Sequence, residues 1–244
     1  LDRAAAGEEL APDARNRVHA LHPPTPPFRP YRRAVCQNEV RGSELDADPP
    51  PHGVKVARRN TPGVRPVLAV TLCFVLAHNL LYTYIAPLLA GHLMAGQIDS
   101  VLLVFGVSAL VSIGLTGMPI DTWLRPLTFT GIGLFLVAVS ILAVTTEAPL
   151  AIYGAALIWG LAFGGSATLF QTASSRAAGP AADVAQAMIV TAWNIAIFGG
   201  AVLGGAILDS VGADGLPWTG IPLLVVAAGS SLCMGRSADG ARTV

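Results

Sequence analysis

Between Pro66 and Gly235 the chain contains six apolar runs, and none has an Asp, Glu, Lys or Arg in its interior. The hydrocarbon core of a bilayer is about 30 Å thick and an α-helix rises about 1.5 Å per residue, so roughly 20 apolar residues make one crossing. The runs, residues 67–89, 101–120, 127–145, 150–172, 185–208 and 216–234, come close to that length or exceed it. None alternates polar with apolar residues as a membrane barrel strand must. In lipid the backbone has no water to bond, so helices remain. The expectation is an all-α, multi-pass integral membrane protein. Pro217 and Pro222 make the sixth run the least typical, but both fall in its first turns, where a missing N–H costs little.

Charge placement supplies a topology. Lys55, Arg58, Arg59 and Arg65 precede the first span; Arg125 follows the second, Arg176 the fourth, and Arg236 and Arg242 the sixth. With alternating loops all of these fall on one side, whereas the opposite loops, 90–100, 146–149 and 209–215, contain no Lys or Arg. The positive-inside rule then puts both termini in the cytoplasm. Six spans also require both termini on one side, so orientation and span count agree.

The net charge of zero conceals two kinds of polypeptide. Residues 1–65 hold eleven of the fifteen Lys and Arg and ten of the eighteen Pro. Stretches such as PPTPPFRPYRR and DADPPPH lack any hydrophobic period, so residues 1–60 read as a disordered leader or linker. With no apolar central region it is not a secretory signal. Arg58, Arg59 and Arg65, adjacent to the first span, suit anionic lipid head groups, and the alternative is a segment with no evolved role. Leu rather than Met at position 1 suggests an unusual start or a fragment. Residues 237–244 form a short cytoplasmic tail. Cys36, Cys73 and Cys233 have no metal or disulfide spacing, and His19, His22 and His52 are scattered among prolines. No metal, cofactor or nucleic-acid partner is expected. One Lys against fourteen Arg fits a GC-rich bacterial genome.

Helices associate in lipid where small residues let backbones approach. Span five offers Ala196, Gly200 and Gly204 at spacings of four, with Gly199 and Gly205 beside them. Span four has Gly160, Gly164 and Gly165, and span two has Gly106, Gly114 and Gly117. Polar residues within the membrane are the default functional candidates. His78 and Asn79 lie in span one, with Tyr82 one turn beyond His78 and Tyr84 close by. His78 either bonds a neighbouring helix or faces a cavity, where it contacts substrate or moves protons. Ser108, Ser112 and Thr116 form a stripe that would wet one face of span two or bond back to their own helix. Trp159, Gln171, Trp193 and Asn194 complete a lining suited to an amphipathic organic compound.

The segment GMPIDTWLRP, Gly117 to Pro126, resembles the loop signature of the major facilitator superfamily, with Gly117, Asp121 and Arg125 at matching positions and Trp123 and Leu124 departing from it. Span four with its exit, IWGLAFGGSATLFQTASSRAAG, and span five, NIAIFGGAVLGGAILDSVG, are similar to late spans of that superfamily, above all of bacterial drug and sugar efflux permeases of the arabinose type. The resemblance implies the second six-span half of a twelve-span transporter in the bacterial inner membrane, built as two inverted three-span repeats. It implies a cavity lined by His78, Asn79 and Tyr82, with Trp159 and Asn194 as further candidates, and a cytoplasmic gate of Gly117, Asp121 and Arg125. Gly200, Gly204 and Gly205 are left as helix-packing residues. The partners implied are a small organic substrate, the lipid bilayer, and a companion six-span half or a second copy. No carboxylate is embedded in a span, so coupling to an ion has no assigned residue.

Two rival classes follow from the same residues. Gly164, Gly165 and Ser166 suggest a rhomboid-type intramembrane serine protease, but that mechanism needs a histidine from a later span and the chain has none after His92. The other is a membrane partner or scaffold that does not transport.

Overall fold

A computed structural model describes residues 63–145 and 148–234. The proposed leader, residues 1–60, the tail 237–244 and the basic residues Lys55, Arg58, Arg59, Arg236 and Arg242 lie outside them.

The described residues are helical throughout, apart from short connections. They form α1 (Val64–Thr83), α2 (Ile85–Gly91), α3 (Ile98–Gly117), α4 (Ile120–Val144), α5 (Pro149–Gly164), α6 (Ser166–Ala178), α7 (Ala182–Ser210) and α8 (Gly215–Cys233). Single 3-10 turns at Ala95–Gln97 and Gly179–Ala181 lead into α3 and α7. By length and composition these helices can cross a membrane repeatedly: α1, α3, α4 and α8 each once, and the run from α5 to the end of α7, 62 residues, with room for two crossings. Span one is therefore α1 with α2, and span four is α5 with α6.

Two bends have one cause. Tyr84, between α1 and α2, has φ −110° and ψ 29°, and Trp123, inside α4, has φ −116° and ψ 22°. Each stands three residues ahead of a proline, Pro87 and Pro126. A proline ring cannot coexist with the carbonyl four residues earlier in a straight helix, so the chain leaves helical geometry just before it. Span four breaks at Gly165, φ −86° and ψ −5°, without a proline.

The packing has a two-fold pattern. α1 lies against α7 and α8, α5 lies against α3 and α4, and α4 meets α8. Exchanging spans one, two and three with four, five and six leaves this set of principal contacts unchanged. Spans one and four are thus the shared centre, and two and five the flanks. Burial follows: ten of the twenty residues of α1 are buried but only four of the twenty in α3. Outward faces of the flanking helices are apolar, with Leu103, Leu110 and Leu115 on α3 and Val190, Phe198 and Val202 on α7 all exposed.

Opposite ends of the bundle have opposite character. The start of α1, the start of α4 and the end of α6 meet at one end: Gly63 approaches Ala177, and Arg176 reaches Asp121. Arg65, Arg125 and Arg176 all belong to this end by the alternation of the spans. At the other, Tyr153 Oη donates to Gln97 Oε1 (3.0 Å) and Gly91 lies by Asp214; among the described residues the connections there carry no Lys or Arg.

Candidate functional site

The core between the two central spans is a set of aromatic rings. α1 contributes Phe74, His78 and Tyr82, α3 contributes Phe105, α4 Phe135, and α5 Trp159 and Phe163. The His78 ring is stacked on Phe163, with centroids 3.5 Å apart and planes 9° apart. Tyr82 is near-parallel to it at a wider 5.2 Å, Phe105 lies at 5.9 Å, and Trp159 meets it edge-on at 5.4 Å. Beneath, Trp159 stacks on Phe135 at 5.8 Å and 7°, and Phe135 meets Phe74 edge-on. Edge-to-face and offset contacts with centroids about 4.5–7 Å apart are those that ring quadrupoles favour, and the His78–Phe163 stack is closer than these.

The two-fold pattern extends to individual residues. His78 is six residues ahead of the Tyr84 break and Trp159 six ahead of the Gly165 break; Tyr82 and Phe163 are each two ahead. His78 and Trp159 are therefore equivalents that touch one another, and the His78–Phe163 contact corresponds to Trp159–Tyr82, edge-on at 6.4 Å. Such self-contact marks the local axis of the two-fold pattern.

Exposure separates the members. His78 is 6% exposed and Trp159 2%, whereas Tyr82 is 43% exposed. His78 Nδ1 and Trp159 Nε1 are shut away from the surface, and neither finds a hydrogen-bond partner among the described residues. No Asp, Glu, Lys or Arg among the described residues is buried anywhere in the bundle. The arrangement can hold a flat apolar group by stacking and offer it one or two hydrogen bonds. It cannot neutralise a buried charge.

The structure brings together three of the five lining candidates. Asn79 stands apart, on the α7 side of α1, where its Nδ2 donates to Val75 O of its own helix (2.9 Å) and its Cβ faces Gly200. Asn194 is exposed and donates in the same manner to Val190 O (2.8 Å). An amide one turn above a helix carbonyl satisfies itself locally by sharing that acceptor with the backbone N–H, which is why a polar residue in a span need not line a cavity. The rings of Phe105 and Phe163 were the members missed from sequence, because a phenylalanine in an apolar run gives no signal of its own. Trp193, at 6.1 Å from Phe163, sits at the margin of the cluster.

The hydroxyl stripe of α3 does not wet a cavity. Ser108, Ser112 and Thr116 are buried against α5. Ser108 Oγ donates to Phe105 O (2.8 Å) and Ser112 Oγ crosses to Leu161 O (2.6 Å). Facing them are Gly160, Gly164 and Gly165: a Cβ on these would overlap Phe105 O and Ser108 Oγ, Ala109 O, and the Thr116 hydroxyl, respectively. On the other flank, a Cβ on Gly200 would lie 2.8 Å from Asn79 Cβ and 2.9 Å from Leu76 O, and one on Gly204 2.5 Å from the Tyr84 ring. Tyr84 Oη donates to Ala201 O (2.7 Å) and lies where a Cβ of Gly205 would come within 2.8 Å of it. Gly106, Gly114 and Gly117 meet nothing within 4 Å, so the span-two glycines make no close approach.

At the basic end of the bundle, Asp121 Oδ1 accepts from Arg176 Nη2 at 2.7 Å, and Asp121 O accepts from Arg176 Nη1 at 3.0 Å. The acid of the loop motif is thus clasped by an arginine 55 positions away, at the end of span four, and Arg125 is exposed. Gln186 Nε2 adds bonds to Gln171 O (2.8 Å) and Ser175 Oγ (2.7 Å), joining α6 to α7. Among the described residues no group of three or more His, Cys, Asp or Glu is placed to hold a metal ion.

No protein-family model matches the chain. It is similar to a chloramphenicol efflux pump of Mycobacterium tuberculosis strain H37Rv, 28% identical over 178 residues, which cover 69% of this chain and 42% of the pump. A chloramphenicol efflux pump of strain CDC 1551 of the same organism is 29% identical over 179 residues, with the same coverage of each. The chain spans less than half the length of these relatives. Similarity to efflux pumps and a bundle of long apolar helices together describe a multi-pass membrane protein related to drug exporters.

Proposed function

We propose that this chain is a six-span half of an efflux transporter of the major facilitator type, exporting small organic compounds by alternating access in concert with a companion half. The observation that carries the reading is the exchange symmetry of the contacts, in which spans one and four share an axis and spans two and five flank them. Two inverted three-span repeats around a midplane site are the common plan of secondary transporters. The chloramphenicol efflux pumps to which the chain is similar supply the class of cargo.

In this reading the substrate meets His78, Tyr82 and Trp159 on the face between spans one and four. The Asp121–Arg176 clasp ties spans three and four at the cytoplasmic end and must open and close with the cycle. The basic residues of that end support a cytoplasmic position for it in a bacterial inner membrane. The apolar outward faces of α3 and α7 meet lipid or the companion half. Coupling to an ion would come from residues of the companion, since no carboxylate is buried among the described residues.

The test is export of chloramphenicol from cells that make this chain alone, or this chain joined to the spans of the relative that the match leaves out. Retention by the first and export by the second is the expected result. Export by the chain alone, above an empty vector, would remove the need for a companion; export by neither would favour a membrane partner that does not transport.

A further inference from the structure

Two of the four tryptophans face outward, and they occupy corresponding places. Trp159 is buried in the aromatic core and Trp193 is half-buried at its margin. Trp123 and Trp218, by contrast, are 60% and 58% exposed. Each is the fourth residue of its helix, Trp123 in α4 and Trp218 in α8. These helices are spans three and six, which exchange under the two-fold pattern and run in opposite directions. The two indoles therefore stand at opposite ends of the bundle, Trp123 at the end with Arg125 and Arg176.

The contact between the two helices fixes how far apart the indoles stand. A Cβ on Gly220 would lie 3.2 Å from Val139, so these residues are level where α8 passes α4. Trp218, two residues before Gly220 on a helix running the other way, is then level with Ile141, and eighteen residues separate Ile141 from Trp123. At about 1.5 Å per residue that is about 27 Å along the helix axis, against about 30 Å for the hydrocarbon core of a bilayer. Residues 126–144 and 219–233 include no Asp, Glu, Lys or Arg, and outward side chains such as Val137, Val225 and Leu232 are apolar. Arg125 is exposed and close enough to Trp123 for its long side chain to reach lipid phosphates. An indole is an apolar body with one N–H donor, and both parts are satisfied together at the boundary between acyl chains and head groups, where tryptophan is enriched. The apolar outward faces of α3 and α7 bear no exposed tryptophan.

We infer that Trp123 and Trp218 are a matched pair of bilayer anchors, one at each head-group boundary, and that lipid acyl chains cover the face of α4 and α8 between them. A second protein on this face would set no constraint on where the indoles fall, whereas a bilayer requires them one hydrocarbon thickness apart. The pair fixes the depth of the bundle. A shift of one helical turn, about 5.4 Å, would carry one indole N–H into hydrocarbon and lift the other ring into water. This goes beyond the transport reading and stands without it.

The experiment uses the full chain in phosphatidylcholine nanodiscs and reads the fluorescence of single tryptophans. Trp159→Phe with Trp193→Phe removes the inner pair; adding Trp218→Phe leaves Trp123, and adding Trp123→Phe leaves Trp218. A nitroxide in the lipid head group should quench either reporter several-fold more than one at the end of the acyl chain. A second measurement leaves the core intact and decides the matter if the inner substitutions prevent folding. Melted in nanodiscs of increasing acyl length, the wild type should be most stable near a hydrocarbon thickness of about 27 Å, and the chain with Trp123→Leu and Trp218→Leu should lose that optimum. Stronger quenching of either reporter from the acyl end, quenching from neither position as under a covering protein, or the same optimum in the doubly substituted chain would overturn the inference.

Discussion

The two flanks of the bundle solve one packing problem with the parts exchanged. On the α3–α5 side the glycines belong to the central helix, and the flanking helix supplies Phe105, Ser108, Ala109 and Thr116. On the α1–α7 side Gly200, Gly204 and Gly205 belong to the flanking helix, and the central helix supplies Asn79, Leu80 and Tyr84. Even the breaks follow the exchange. At Tyr84 a large side chain at the break presses on glycines of the flank, and at Gly165 the break is itself the glycine and Thr116 presses on it. Two-fold related positions need equal separation between backbones, and either partner can yield the space.

The difference lies in what each seam would have to move. At Gly164 the atoms that meet α5 are all main chain, those of Ala109, which are held by their own helix, whereas the Ser108 and Thr116 hydroxyls come nearest at Gly160 and Gly165. At Gly204 the nearest atoms belong to the Tyr84 ring, a side chain with rotamers to spare. The largest effect is therefore expected from Gly164→Val, which should separate α3 from α5. Overpacking of this kind costs about 1–3 kcal/mol and more where backbone must shift, so the variant should lose much of its thermal stability in detergent or fail to accumulate. Gly204→Ala should cost less, about 1–2 kcal/mol, since Tyr84 can turn away. If the two variants melt alike, the distinction between the rigid surroundings of Gly164 and the yielding ones of Gly204 is wrong.

Smaller effects sharpen the same contrast. Tyr84→Phe removes only the bond to Ala201 O, and interhelical bonds in membranes average about 0.6 kcal/mol, so its melting point should lie between that of Gly204→Ala and the wild type. Combined with Gly204→Ala it should add little, because the first substitution already displaces the phenol; a double-mutant cycle reads the coupling directly. Gly114→Ala, on the α3 face that meets nothing, should be neutral or stabilise by up to about 1 kcal/mol through the helix preference of alanine. A clear loss there would mean that this face is covered within the membrane.

Much of this architecture can be read from residues. Charge-free runs of sufficient length indicate the helices, and the spacing of Ala196, Gly200 and Gly204 marks one seam. Glycine content does not mark the other correctly, because a glycine matters only where a neighbour approaches. Gly106, Gly114 and Gly117 look like Gly160 and Gly164 in sequence and face the opposite way. The hydroxyls that do face the seam, Ser108, Ser112 and Thr116, carry the register instead. Polar character misleads in the same manner at Asn79 and Asn194, whose amides bond their own helices. The partner of Asp121 could not be read locally, for Arg125 is near in sequence while Arg176 is near in space. The bends, by contrast, are written three residues downstream, in Pro87 and Pro126.

A seam made from carbonyls, small hydroxyls and missing side chains holds few torsions to freeze and few shapes to match. It constrains a handful of positions to smallness and leaves the outward faces of α3 and α7 bound only to remain apolar. Those faces are the ones on which substitutions could accumulate, or a new neighbour be accommodated, without any change to the way this bundle holds itself together.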